Sequence, residues 1–188
     1  MTDTEKQNII NYAAPPVSVM IVGAVFTALS PVGFLIARAI SDELWRAGVV
    51  GGVMAVMGIV FMCLRFYYAA AAKKAIKNAQ ANASEEFLVY DFRNGRKFLS
   101  DRIICGEHYV FSKGLGMIVR LSDIVELRRE TKYYRSVPTA ENLSVKTKDG
   151  KRTTLCSISA AEGTPPLSDI IREIIKQAPD VEFIDKRL

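Results

Sequence analysis

The side chains best suited to binding chemistry in this sequence are cationic and lie in two short segments. One segment is an alanine-rich stretch, and in the other arginine and lysine are interleaved with two adjacent tyrosines. Such clusters attract phosphate head groups and acidic proteins. We therefore predict contacts to anionic lipid or to a protein partner through seven residues: Lys73, Lys74, Lys77, Arg128, Arg129, Lys132 and Arg135. The alternatives are a solvated helix surface for the lysines and a charged edge strand, protected from aggregation, for the second segment.

The sequence offers no catalytic pattern of residues. His108 is the single histidine and has no Ser, Cys or Asp partner in a recognisable motif. Ser112 and Lys113 are adjacent, but nothing nearby supplies the oxyanion-binding group that a Ser/Lys nucleophile needs. Gly114-Leu-Gly116 is a lone GxG between predicted strands, which is typical of a turn and not of a phosphate-binding loop. We predict a protein that is not an enzyme and uses no cofactor.

The three cysteines, Cys63, Cys105 and Cys156, form no CxxC motif. With one histidine in the chain, zinc sites of the common kinds are excluded. Cys105 and Cys156 have two interpretations, a disulfide or two buried free thiols. Their apolar, strand-like surroundings favour free thiols, which fits a reducing, cytosolic location.

Charge and apolar residues are distributed unevenly along the chain. Residues 1–64 contain three basic and four acidic side chains, whereas residues 65–188 contain the other 22 basic and 16 acidic ones, a net charge of +6. This surplus is modest for a nucleic-acid binder, so no nucleic acid is expected as a partner. It suits a domain that lies against an anionic membrane surface.

Two uncharged runs near the N-terminus predict a hairpin of membrane-spanning helices over residues 17–64. The first, 17–37, has 21 residues and the second, 47–64, has 18, enough for about 30 and 27 Å of helix. Pro31 is expected to kink the first helix. A polar turn at 40–46 joins the two and makes them antiparallel neighbours. A cleaved signal peptide is the main alternative for the first run, but that run is too long, and Asp3 and Glu5 are incompatible with the basic segment that precedes such a peptide.

Small residues recur at four-residue spacing in both runs. Gly48 and Gly52 form a GxxxG motif, and Gly23 with Thr27 has the same spacing in the first run. Small side chains let helices approach closely in lipid. The pattern is compatible with packing inside the hairpin or with a homodimer.

The distribution of lysine and arginine predicts the topology. Arg65 and three lysines follow the second span, whereas residues 1–16 contain only Lys6. Cytoplasmic flanks are enriched in positive residues. We expect a multi-pass protein of the cell (inner) membrane, with residues 1–16 as a cytosolic tail and the C-terminal domain also cytoplasmic.

The rest of the chain is predicted to be a helical stalk followed by an α+β domain. High helix propensity over 65–84 indicates that the second membrane helix continues into the cytosol. A short helix is expected over 85–94 with Ser84 as its N-cap, then five to seven antiparallel strands separated by turns at Gly106-Glu107, around Ser136 to Pro138, and at Asp149-Gly150. Five apolar residues from Leu167 to Ile175 at i, i+3, i+4, i+7 and i+8 predict an amphipathic C-terminal helix that covers the sheet.

The order of these elements resembles a pleckstrin-homology-like domain, a small β-barrel or sheet closed by one C-terminal helix. The segment IICGEHYVFSKGLGMIVRLSDIVELRR, residues 103–129, is similar to the hairpins of small bacterial membrane-anchored proteins with such domains. The resemblance covers about residues 98–177 of the predicted domain, 85–188, and implies a fold but no activity. A phosphoinositide pocket of the eukaryotic type needs basic residues in the first hairpin loop, and here that loop is Gly106-Glu107.

Together these features predict a membrane-tethered, non-enzymatic binding or scaffolding module on the cytosolic face. It would recruit a protein or contact lipid head groups. The alternative is a structural subunit of a larger membrane complex that assembles through the transmembrane helices.

Overall fold

A computed structural model describes residues 1–40, 44–82, 84–159 and 165–186 of the chain. Four helices come first, then seven strands, one further helix and a final strand. The helices are α1 Asp3–Ala13, α2 Val17–Ile40, α3 Leu44–Ala81, α4 Glu85–Asn94 and α5 Pro165–Gln177. The strands are β1 Arg96–Phe98, β2 Ile103–Cys105, β3 Tyr109–Ser112, β4 Met117–Arg120, β5 Ile124–Tyr134, β6 Val137–Thr147, β7 Arg152–Ser159 and β8 Glu182–Lys186.

Helices α2 and α3 are both long and apolar enough to cross a membrane. Their large apolar side chains are mostly exposed; Leu35, Val53 and Val56 are examples. A soluble protein would bury such residues, so the exposure is what a lipid-facing surface requires. Helix α2 continues through Pro31, while the kink there stays a prediction. Of the predicted polar turn at 40–46, Ile40 ends α2 and residues 44–46 begin α3, while residues 41–43 lie outside the described residues.

Glycines bring α2 and α3 into close contact. A Cβ added to Gly58 would lie 2.2 Å from Thr27 Oγ1 and 2.6 Å from the Gly23 carbonyl oxygen. Ser30 Oγ donates to the Gly51 carbonyl at 2.7 Å, across the same interface. The Gly23 and Thr27 spacing therefore serves packing within the hairpin. Gly48, in contrast, has nothing within 4 Å of an added Cβ, and the same is true of Gly52.

Helix α3 runs through 38 residues without a break, so the second candidate span and the predicted stalk are one helix. The segment 1–16, predicted as a cytosolic tail, contains α1. This helix packs on the stalk, because Ile9, Ile10 and Ala13 form an apolar stripe that meets Ala72 and Ile76. The N-terminal segment and the stalk therefore lie on the same side of the candidate spans.

Two four-stranded sheets make up the C-terminal part. The first has the order β1-β2-β3-β4 and the second β7-β6-β5-β8. All pairs are antiparallel except β5 with β8, which is parallel. Within the described residues the two sheets do not close into a barrel. The α+β class is confirmed, and of the two predicted forms, barrel or sheet, the structure has two small sheets.

The first sheet is buried on both faces, which explains the uninterrupted apolar runs in β2 and β3. On one face Ile103, Cys105 and Val110 meet the second sheet and the predicted isoleucine stripe of α5. On the other face Ile104 and Phe111 meet α1, the stalk and α4. A boundary between residues 84 and 85 therefore cuts through the second of two apolar cores, and the folding unit of this part includes α1 and the stalk.

Ser84 is the N-cap residue of α4, as predicted, although its side chain makes no capping hydrogen bond. Its hydroxyl donates to the Ala79 carbonyl at 3.1 Å and lies 2.7 Å from Tyr109 Oη. The polar loop expected around Ser136 is a two-residue turn at Arg135 and Ser136, both with positive φ, and β6 begins at Val137. The predicted Thr164 cap of α5 lies outside the described residues.

Candidate functional site

The seven predicted contact residues do not form one surface. The three lysines lie exposed on the stalk, and the other four are spread along the 11 residues of β5 and the turn that follows it. Each group has its own electrostatic surroundings, and these surroundings decide which cations are available to a partner.

The stalk lysines lie above the point where α3 leaves its apolar segment. Lys73 and Lys77 follow Arg65 by eight and twelve residues, which corresponds to roughly 12 and 18 Å along a helix. Both distances exceed the roughly 5–8 Å thickness of a lipid head-group layer. Side chains of a helix tilt toward its N-terminus, so both lysines lean back toward the apolar segment of α3.

Both arginines of β5 form ion pairs within the protein. Arg128 is half-buried and pairs with Glu126 and Glu130 on its own face of the strand, at 2.8 and 3.2 Å. Arg129 points to the opposite face, is 2% exposed, and is bonded to Glu141 at 2.5 Å. A buried guanidinium needs such a partner because an isolated buried charge is very costly. Arg129 is therefore not available to lipid or to a partner at the surface, which corrects that prediction.

Lys132 and Arg135 are exposed at the far end of the β5–β6 hairpin. The Arg135 guanidinium lies 5.4 Å from the centre of the Tyr134 ring, within cation–π distance. Tyr133, Tyr134 and Val137 beside them are 49%, 64% and 62% exposed. Exposed aromatic and aliphatic side chains next to two cations mark a candidate interaction surface.

The backbone of the turn at this end is unusual. Arg135 and Ser136 have φ of 49° and 67°, in the left-handed region that favours glycine and asparagine. A two-residue hairpin turn with positive φ at both positions is of type I′, for which Asn-Gly is the preferred sequence. Retaining Arg-Ser there costs stability, and such strain is common where a side chain serves an interaction.

The residues weighed for catalysis have structural roles. Ser112 is buried and its hydroxyl donates to the Leu155 carbonyl at 2.5 Å, which ties β3 to β7. Gly114 and Gly116 form the predicted turn, with φ of 75° and 63°. Among the described residues no group of histidine, cysteine, aspartate and glutamate could hold a metal ion.

His108 stacks on Phe87 with ring centres 4.3 Å apart, and its Nδ1 lies 3.7 Å from Asp91 Oδ2. Sequence reasoning did not single out Asp91, which is 1% exposed. Its carboxylate accepts the backbone N–H groups of Glu107, His108 and Tyr109 at 3.2, 2.7 and 2.8 Å. Asp91 thereby fixes the β2–β3 turn. The one sequence signal of Asp91 burial was Leu88, because residues three positions apart lie on the same face of a helix.

Cys105 and Cys156 are free and buried, as expected from their apolar surroundings. Burial raises the pKa of each thiol to about 12. At neutral pH the thiolate, which is the reactive form, is then present at only about one part in 10⁵. Neither cysteine is suited to nucleophilic or redox chemistry in the folded protein.

No family model, no curated protein and no solved structure matches this chain.

Proposed function

We propose that this chain is a membrane-tethered, non-enzymatic binding module on the cytosolic face of the cell membrane. In this proposal the two long apolar helices span the bilayer, both termini are cytoplasmic, and the domain is pleckstrin-homology-like. The domain recruits a protein or contacts lipid head groups at a height that the stalk sets.

The observation that carries this proposal is the attachment of the domain to the stalk. The β3–β4 turn lies on both α1 and α3: the Gly114 and Gly116 amides donate to the Tyr12 and Ala13 carbonyls at 3.1 and 2.7 Å, and Gly116 lies against Tyr68. A domain that only needed to stay near the membrane could hang on a flexible linker. Fixing its orientation is useful when one particular surface must face a lipid layer or a partner.

The architecture of the chain adds support. Helix α3 continues from its apolar segment to Ala81, and Arg65 at the junction donates to the Pro15 carbonyl and, at 3.2 Å, to Asn11 Oδ1. These bonds link the start of α2 to the stalk at the level where both helices leave the apolar layer. The folded part outside the apolar segments is thereby held at two points, through α3 and through the segment that joins α1 to α2.

Photocrosslinking in native membranes tests the proposal. A photoreactive residue is placed, one at a time, at the exposed positions Lys132, Lys148 and Arg172 of the full-length chain. We expect a discrete protein or lipid adduct from at least one position. The adduct should weaken in the undocked variant Gly116→Leu but persist in Gly114→Leu, which has the same backbone strain without the contact to Tyr68. No adduct from any position, or an adduct indifferent to Gly116→Leu, would contradict the proposal.

Topology is tested separately. A single cysteine at Asp149, in a chain whose natural cysteines have been replaced, should resist membrane-impermeant thiol reagents in intact cells. Rapid labelling in intact cells would place the domain on the outside.

The second candidate function, a structural subunit of a membrane complex, is favoured by Gly48 and Gly52. Both face open space and line an apolar groove beside Pro31, whereas Gly23, Gly51 and Gly58 are used within the hairpin. If this function is correct, Gly48→Ile with Gly52→Ile abolishes association of the chain with itself or with another membrane protein in crosslinked membranes. Unchanged association in the double variant would rule it out.

A further inference from the structure

Among the described residues, the end of the β5–β6 hairpin projects beyond the strands on either side of it. The last residue of β8 pairs with Glu130, and the last residue of β7 pairs with Ala140. Residues 131–139 therefore form a two-stranded extension, which we call the hairpin tip. Tyr134 and Val137 are the most exposed apolar side chains of the tip. The tip buries little apolar surface within the protein, so its exposed side chains contribute little to the stability of the fold.

The composition of the tip fits the interfacial region of an anionic bilayer. Its sequence, TKYYRSVPT, contains two cations and no acidic residue. The nearest acids along the strands, Glu130 and Glu141, pair with Arg128 and Arg129. Tyrosine is enriched at membrane–water interfaces because its ring is apolar and its hydroxyl polar. Lysine and arginine side chains near an anionic leaflet are attracted to its head groups.

The base of the hairpin is attached close to the candidate membrane boundary. Ser112, which bonds to Leu155 of β7, directly precedes the turn that lies on Ala13 and Tyr68. Tyr68 follows Arg65 by three residues, which is about 4.5 Å of helix. From Leu143, opposite Cys156, to Val137 the ribbon has six residues, roughly 20 Å of strand. The opposite end of the hairpin lies on the α4 side, because the Lys148 amide bonds to Asp123, the Leu121 amide to His108, and the His108 amide to Asp91 of α4. The ribbon therefore runs past Ser112 in the direction of Tyr68, and its length lets the tip reach the head groups beside the spans.

We propose that the hairpin tip lies in the head-group layer of the membrane in which the chain is anchored, with Tyr133 and Tyr134 at the interface and Lys132 and Arg135 on anionic head groups. This inference rests on the proposed membrane tether and narrows its partner to lipid at this site. A protein bound at the tip is the competing occupant. The lipid surface is favoured because the tip has no acidic residue and lies within reach of the membrane that would hold the two spans.

The test uses the full-length chain in nanodiscs of defined lipid. The natural cysteines are replaced, and Tyr134→Cys is labelled with an environment-sensitive fluorophore. Lys148→Cys, at the opposite end of β6, is the matched control. One set of discs contains phosphatidylcholine alone and the other contains phosphatidylcholine with about one third phosphatidylserine.

We expect the Tyr134 label to shift to shorter wavelength and to become several-fold less accessible to aqueous iodide in the anionic discs, while the Lys148 label does not change. Lys132→Glu with Arg135→Glu should remove the shift. Lys148→Glu with Lys151→Glu changes the net charge equally and should leave it intact. Equal iodide quenching of the two labels in both kinds of disc would overturn the proposal, as would a shift that survives charge reversal at the tip.

This failure is distinct from failure of the proposed function. A tip that stays in water in lipid-only discs, but gives a protein adduct in native membranes, contradicts the lipid assignment and leaves the binding module in place. Absence of both signals contradicts both.

Discussion

Gly116 lies directly against the backbone of Tyr68, so that a Cβ at residue 116 would be 2.7 Å from the Tyr68 carbonyl oxygen and 2.8 Å from its Cα. The contact joins the sheet-containing domain to the helix that emerges from the candidate membrane segment. It is made by backbone atoms on both sides, so side-chain rotation cannot relieve a clash there.

Gly116→Ala should therefore weaken docking of the domain on the stalk. We expect a loss of about 2–4 kcal/mol, part of it from overpacking and part from placing alanine at positive φ. Gly114→Ala is the control, because it has positive φ but nothing within 4 Å of the new Cβ; its loss should be about 1 kcal/mol. Thermal unfolding and protease sensitivity of the full chain in micelles measure both. Equal losses in the two variants would mean that the contact with Tyr68 is unimportant.

The α2–α3 hairpin offers a similar pair of glycines. Gly58→Ala should separate α2 from α3, since its Cβ would overlap Thr27 and the Gly23 carbonyl oxygen. Gly52→Ala should be tolerated, since its Cβ enters open space. Crosslinking yield between cysteines placed on facing positions of the two helices reports the separation. A Gly52→Ala variant that disturbs the hairpin as much as Gly58→Ala would contradict this packing.

The strained turn of the hairpin tip should be easy to stabilise. Replacing Arg135→Asn and Ser136→Gly installs the preferred type I′ sequence and should raise the free energy of unfolding by about 0.5–1 kcal/mol. The same change removes one cation, so the fluorescence shift of the Tyr134 label in anionic discs should decrease. If the variant is more stable and its Tyr134 label shifts less, Arg135 and Ser136 serve the interaction with lipid and not the stability of the fold. A drop in stability would argue against the positive-φ turn.

The buried ion pair between Arg129 and Glu141 holds β5 to β6. Arg129→Met should cost about 3 kcal/mol, because it leaves the largely buried Glu141 carboxylate without its partner. Adding Glu141→Leu should restore most of that loss. Denaturant unfolding of the two variants and of Glu141→Leu alone forms a complete double-mutant cycle. A zero coupling energy would show that the pair contributes nothing.

Glu126 should make the domain sensitive to acid. Burial opposes its ionisation, but ion pairs with Arg128 and Arg152 outweigh this and hold the pKa of Glu126 below its ordinary value of 4.5. A depressed pKa stabilises the folded state above the ordinary value, and this stabilisation is lost as the pH falls through the lower, folded value. Glu126→Gln should be less stable than wild type at pH 7 and should lose less on acidification. Glu107→Gln, in an exposed turn, is the control and should follow the wild-type profile.

Much of the fold could be predicted from periodicity. The uncharged runs predicted the two long apolar helices, and the alanine- and lysine-rich segment predicted the stalk. The isoleucine stripe predicted α5. Each of these patterns extends over several turns of one helix. The β2–β3 hairpin followed from its turn residues. These predictions were reliable because the information lies within a dozen neighbouring residues.

Predictions failed where a residue's environment depends on distant parts of the chain. Arg129 has the same sequence context as Arg128, but strand alternation points it toward Glu141, and only the β5–β6 register decides that it is buried. Lys132 and Arg135 are exposed because β7 and β8, in the part of the chain that the structure describes, end before they reach these two positions. Of the four residues predicted in this segment, the structure exposes Lys132 and Arg135 and buries Arg129.

The apolar character of the N-terminal third, the cationic surplus of the rest and the order of helices and strands were determined by the sequence alone, because composition and local period specify them. The tertiary structure decided that α1 lies on the stalk, that the first sheet is buried on both faces, and that the domain is fixed to α3 through Gly116 and Tyr68. Those features depend on which surfaces meet, and contacts between residues far apart in the chain leave no local pattern.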